Sequence, residues 1–116
     1  MNKDELKRRT KEYALRIIKL IDVLPRTTAG RAIGNQLVRS GTSIGANYRA
    51  ALRARSRAEF VAKLGIVVEE ADESEFWLEL IIEAELLKKE LIEPLLKETN
   101  ELIAIFVSTR KSSRKS

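Results

Sequence analysis

Apolar positions recur at helical spacing along almost the whole chain, and the strict alternation of a half-buried strand does not survive against them. Leu6, Tyr13, Ile17, Leu20 and Leu24 share one face, with Ala14, Ile18 and Ile21 beside them, which predicts a first helix over about 4–24. Pro25 ends it, because the residue before a proline is pushed out of the α region. Thr27 and Thr28 are both candidates for the N-cap of a second helix, whose apolar or small stripe is Ile33, Leu37, Ser40, Ile44, Tyr48 and Ala51. Segment 40–45, SGTSIG, reads as a break by propensity, since each glycine costs roughly 1 kcal/mol relative to alanine. The helical pattern passes through it nonetheless, so one continuous helix is expected, with any bend placed there. Gly34, Gly41 and Gly45 fall on one face, where a neighbouring helix can approach closely.

Ser56-Arg57-Ala58-Glu59 is a capping-box sequence: the Ser56 hydroxyl accepts from the Glu59 N–H, and the Glu59 carboxylate accepts in return from the Ser56 N–H. The third helix then reads on to about Lys88, roughly 48 Å at 1.5 Å per residue. One stripe is Phe60, Leu64, Val67, Ala71, Ser74, Leu78 and Ile81; a second is Ala62, Ile66, Trp77, Leu80, Ala84 and Leu87. Two stripes exceed what one bundle covers, so Ile66, Trp77 and Leu80 are the candidate interface of a homo-oligomer. A fourth helix is expected from about Glu93-Pro94, proline being tolerated in a first turn, and it carries Leu95, Leu96, Leu102, Ile103, Phe106 and Val107. The expected architecture is all-α, an up-down-up-down antiparallel four-helix bundle over 1–109, followed by a basic, disordered tail over 110–116 that has nothing to bury.

Composition narrows the chemistry. The 116 residues suit one domain and include no Cys and no His. Disulfides, thiolate metal sites and cysteine nucleophiles are thereby excluded, as are the usual catalytic triads and most transition-metal sites. No apolar run approaches the length that spans a bilayer, and the opening MNKDELKRRTKE lacks a signal-peptide core, so a cytoplasmic protein without a membrane partner is expected. The net charge of +5 hides an asymmetry: residues 1–57 hold 14 Lys and Arg against 4 Asp and Glu, residues 58–109 hold 4 against 13, and Arg110, Lys111, Arg114 and Lys115 follow. Either the basic and acidic halves neutralise each other on folding, or a basic face stays free for an anionic partner.

The acidic run Glu69, Glu70, Asp72, Glu73, Glu75, Glu79 and Glu83 is the main candidate for metal chemistry, since carboxylates three and four apart share a helix face. Glu69, Glu70 and Glu73 match the EExxE half of an all-α nucleotide pyrophosphohydrolase site, but the ExxD half is absent because no Asp follows Asp72. A ferritin-like di-iron site fails for want of histidine. The simpler expectation is a structural role, with Glu70 and Glu73 pairing across the bundle to Arg49, Arg53, Arg55 and Arg57, and with no metal or cofactor. Asn47 reads as a buried amide that sets helix register. Lys7, Arg8, Arg9, Lys11 and Arg16, with the tail residues Arg110, Lys111, Arg114 and Lys115, form the candidate nucleic-acid surface. Tyr13, Tyr48, Phe60, Phe76, Trp77 and Phe106 are the only aromatics and mostly sit in apolar stripes, so RNA or DNA would be held by its backbone rather than by base stacking.

From Gln36 to Leu87 the chain resembles the bacterial four helix bundle proteins, also called 23S rRNA intervening-sequence proteins. Ser43-Ile44-Gly45-Ala46-Asn47-Tyr48-Arg49, Ser56-Arg57-Ala58-Glu59-Phe60, Glu70-Ala71-Asp72-Glu73 and Phe76-Trp77-Leu78-Glu79 carry the resemblance. Ala50 departs from it, standing where such proteins often have Glu, which removes one possible partner for Arg53. The resemblance implies a non-enzymatic four-helix protomer assembling into a pentameric ring. It also points to a relative, the accessory variability determinant of diversity-generating retroelements, a basic pentamer that binds nucleic acid and a reverse transcriptase. The leading expectation is therefore a basic homo-oligomeric module for RNA or DNA, accessory to a reverse transcriptase or another nucleic-acid enzyme. The alternatives are a protein-binding scaffold with internally paired charges and a Mg²⁺-dependent nucleotide hydrolase.

Overall fold

In the computed structural model, which describes residues 1–115, each of the first three helices starts on a side-chain cap. Asn2 accepts from the Glu5 N–H at 2.8 Å ahead of α1 (Lys3–Ile21), and Thr27 accepts from the Gly30 N–H at 3.1 Å ahead of α2 (Thr28–Leu52). Ser56 accepts from the Glu59 N–H at 3.1 Å ahead of α3 (Arg57–Glu83). The return arm of the expected capping box lands one residue early, since the Glu59 carboxylate accepts from the Arg55 N–H at 3.5 Å rather than from Ser56. A fourth helix, α4 (Lys89–Lys115), completes the chain, and no strand occurs among the described residues.

α2 runs unbroken through SGTSIG. The hydroxyls of Thr42 and Ser43 donate to the Val38 and Arg39 carbonyls of the preceding turn, so they are absorbed by the helix instead of competing with it. Its glycines let α1 come close. A Cβ at Gly41 would lie 2.9 Å from Ile17 Cγ1, and one at Gly45 would lie 3.2 Å from Thr10 Oγ1. Around the bundle α1 packs on α2, α2 on α3 and α3 on α4, while α1 and α4 touch least; the whole measures 47 × 21 × 21 Å. The first stripe expected on α3 is the buried one: Leu64, Val67, Ala71, Ser74, Leu78 and Ile81 are all fully inside. Each large apolar side chain buried this way stabilises the fold by about 1.5–3 kcal/mol.

Four boundaries differ from the sequence expectation. α1 closes at Ile21 rather than Leu24, because the chain tightens there into turns in which the Val23 and Leu24 N–H groups donate to the Leu20 and Ile21 carbonyls. α3 stops at Glu83 rather than near Lys88, because Glu85 takes a left-handed conformation (φ 55°). Its N–H then donates to the Ile82 carbonyl and the Leu86 N–H to the Ile81 carbonyl, each at 3.0 Å, in a Schellman arrangement that here uses Glu in place of Gly. α4 begins at Lys89, a turn before the expected Glu93-Pro94, and so holds Pro94 inside it. The early start seats Ile92 in the core, and the proline's missing N–H faces an exposed turn. The segment expected to be a disordered tail continues α4 through 110–115, while Ser116 lies outside the described residues.

Candidate nucleic-acid interface

The partners of the acidic run decide which cations remain free. Residues that meet between α2 and α3 are those roughly equidistant from the connection between them: Ser40 Oγ lies 2.8 Å from Ser74 Oγ. The same geometry sets Arg39 against the middle of α3. One guanidinium nitrogen of Arg39 lies 3.2 Å from both Glu70 carboxylate oxygens, and the other donates to Glu73. Arg39 thereby holds the Glu73 carboxyl below its ordinary range, helped by the Trp77 indole, whose Nε1 donates to it at 3.2 Å. The expected pairing of Glu70 and Glu73 with Arg49, Arg53, Arg55 and Arg57 is corrected: those arginines lie at the far end of α2 and in the connection, beside the start of α3. Arg39 was recoverable from the sequence by counting outward from the connection. Glu75 is pushed above its ordinary range by burial, with Glu79 and Asp72 adding to it. Among the described residues no group of three or more acidic side chains is arranged to hold a metal ion.

Two of the expected nucleic-acid residues are engaged by groups on other helices. Arg9 donates from Nε and Nη2 to the two Glu98 oxygens, each at 2.7 Å, and from Nη2 to Glu101 at 2.8 Å, which joins α1 to α4. Glu98 is the main cause that holds the Arg9 guanidinium more firmly protonated than usual. Arg110 lies over Gly65 and donates from Nε to the Val61 carbonyl at 3.1 Å, which joins α4 to α3. The sequence could not separate these two from their neighbours, because the acids and carbonyl that take them lie on other helices. Arg8 makes only a long, exposed contact of 3.9 Å to Glu12 within its own helix. Lys7, Lys11, Arg16, Lys111, Arg114 and Lys115 have no ion-pair partner within 4 Å among the described residues, nor do Arg49 and Arg53.

The remaining site residues divide between core and surface. Asn47 is half-buried and donates to the Ser43 carbonyl of its own helix at 2.9 Å, so it bridges no pair of helices and does not set register as expected. Of the candidate interface, Ile66 is 37% exposed, and Trp77 and Leu80 are half-buried on the outward side of α3. Phe76, which falls in neither stripe of α3, is 52% exposed and meets the Trp77 ring edge-on at 5.1 Å. Thr10 and Thr99, which no apolar pattern marks, are fully buried polar residues. No helix of the described chain is long and apolar enough to cross a membrane.

Comparison with known proteins agrees with this architecture. The profile described as 23S rRNA-intervening sequence protein matches residues 2–108. The crystal structure, at 1.70 Å resolution, of a protein of unknown function from the S23 ribosomal protein family of Bacteroides thetaiotaomicron VPI-5482 is 40% identical. The similarity covers 90% of this chain and 97% of that one, with a TM-score of 0.85. No curated protein matches the chain.

Proposed function

Since the chain belongs to the 23S rRNA-intervening sequence protein family, we propose that it is a non-enzymatic, basic homo-oligomeric module that binds RNA or DNA through the phosphate backbone. One observation carries the reading. Among the described residues, Arg9 and Arg39 are the cations in 1–57 that reach carboxylates on another helix, and the rest of that basic half has no acidic partner within 4 Å across the bundle. A scaffold whose opposite charges neutralise each other internally needs the reverse. Unpaired surface cations bind phosphates with release of condensed counterions and little regard for base sequence.

The proposal includes an up-down-up-down order, supported by Gly45, Gly41 and Gly34 of α2 meeting Thr10, Ile17 and Ile21 of α1 in reverse order. It includes a closed ring, five-fold by resemblance, supported by the outward apolar residues Ile66, Phe76, Trp77 and Leu80 of α3. It places the protein in the cytoplasm, as an accessory to a reverse transcriptase or another nucleic-acid enzyme.

The test is a fluorescence-anisotropy titration with structured RNA and duplex DNA at two salt concentrations, on protein whose mass in solution is known from sedimentation equilibrium. The expected result is binding to both, weakening steeply with salt, by a species several times the 13.2 kDa of one chain. No binding at low salt by folded, oligomeric protein leaves the scaffold; a 13.2 kDa species at micromolar concentration removes the ring.

A further inference from the structure

Between α1 and α2 a groove of about 220 Å³ opens on the surface, lined by Lys7, Thr10, Lys11, Ala14, Thr42, Gly45, Ala46 and Arg49. Three features of this lining belong together. The three charged residues are all cations, drawn from two helices, and no carboxylate lines the groove. None of the three has an ion-pair partner within 4 Å among the described residues. The floor is made of small residues, because Gly45 lets α1 close onto α2 at Thr10. Both threonine hydroxyls point their protons inward to helix carbonyls, Thr10 to Leu6 and Lys7, Thr42 to Val38 and Arg39. The cations are therefore the groove's available donors.

Lys7 and Lys11 stand one helical turn apart, so their ammonium groups work on the same side of α1, with Arg49 facing them from α2. Bringing three like charges together without a counter-charge raises the energy of the free protein, and an anion seated among them relieves it. The volume lies below the ~300–1,000 Å³ typical of pockets that enclose a whole small molecule. A single phosphate group with the rest of its molecule outside is the ligand that size and charge admit.

We propose that this α1–α2 groove is the phosphate seat of the protein and that it takes one backbone phosphate of a bound RNA, held by Lys7, Lys11 and Arg49. The inference rests on the nucleic-acid reading above and locates it. Arg49, expected from the sequence to be a structural partner of the acidic helix, becomes a binding residue, while Arg9 and Arg110 leave that role.

The test compares two triple variants of the full chain by anisotropy with the same structured RNA: Lys7→Gln/Lys11→Gln/Arg49→Gln, and a control of equal charge change, Lys88→Gln/Lys89→Gln/Lys97→Gln, at exposed positions outside the groove. The groove variant should lose at least about tenfold in affinity at low salt and flatten the salt slope by about 1, for the one phosphate the three cations neutralise together. The control should lose much less. Equal losses overturn the groove and leave the general reading intact, whereas wild-type protein that binds no RNA overturns the general reading itself. A second variant, Ala46→Glu, keeps every cation and puts a carboxylate into the groove at an exposed helical position; RNA binding unchanged by it also overturns the proposal. Inorganic phosphate is the remaining probe. Displacement of RNA by low-millimolar phosphate at matched ionic strength would make free phosphate the ligand instead of a nucleic-acid backbone, and no displacement is expected.

Discussion

The phenol oxygen of Tyr13 on α1 lies 2.6 Å from the hydroxyl of Thr99 on α4, inside the bundle where neither residue reaches water. Thr99 donates in turn to the Leu95 carbonyl at 2.8 Å, which leaves the phenol as the donor of the shared bond. Burial is the main influence on Tyr13 and pushes its pKa up to about 12. Because the folded value lies above the ordinary one near 10, this contribution to stability is complete below about pH 10 and is lost as the pH rises through about 12. Tyr13→Phe keeps the ring and removes the ionisable group. It should cost about 1 kcal/mol at neutral pH and make unfolding between about pH 10 and 12 less steep. Alkaline titrations followed by helical circular dichroism and tyrosinate absorbance check both parts.

Gly41 and Gly65 are both helical glycines, but alanine should act differently at the two. At Gly41 the new Cβ would lie 2.9, 3.1 and 3.3 Å from three atoms of Ile17, a fully buried, β-branched side chain that cannot turn aside. The strain of overpacking, about 1–3 kcal/mol, should exceed the roughly 1 kcal/mol gained in helix propensity, so Gly41→Ala should lower the melting temperature. At Gly65 the nearest atoms, at 3.2–3.3 Å, are the guanidinium end of Arg110, a long side chain that can yield a few tenths of an ångström while keeping its bond to the Val61 carbonyl. Gly65→Ala should therefore melt within a few degrees of the wild type or above it.

Glu85 holds a left-handed conformation, φ 55°, at the position where a Schellman turn normally places glycine. An L residue there is strained by roughly 1–2 kcal/mol. Its side chain is exposed and has no hydrogen-bond or ion-pair partner among the described residues. Glu85→Gly should raise stability by about 1 kcal/mol, part of the relief being returned through the greater freedom of unfolded glycine. A urea titration in which the midpoint falls would place the stop of α3 elsewhere.

Arg9 separates stability from binding. Of its three charge-assisted hydrogen bonds, the two to Glu98 are part-buried and the one to Glu101 is exposed, and Arg9→Gln should cost about 1–3 kcal/mol. The salt slope of RNA binding should stay unchanged, since the guanidinium is already satisfied by acids. Melting curves and anisotropy on the same preparation report the two effects. A flattened slope without a lowered melting temperature would return Arg9 to the binding surface.

Local chemistry and periodicity determined the number of helices, the start of α3 at Ser56, and its buried stripe from Leu64 to Ile81, because capping and amphipathicity act over one or two turns of chain. The continuity of α2 through SGTSIG was legible for the same reason, since the apolar pattern there outweighs glycine propensity. The turn at Glu85 was not, because a left-handed glutamate leaves no mark in composition; nor was the start of α4 before Pro94, which follows from seating Ile92 in the core. The division of the cations belongs to the tertiary structure alone. Arg9, Arg39 and Arg110 look like Lys7, Lys11 and Arg49 in sequence, yet the first three find acceptors on a neighbouring helix and the last three line one open groove. An ion pair depends on a few ångströms between segments far apart in the chain, and only helix packing sets that distance.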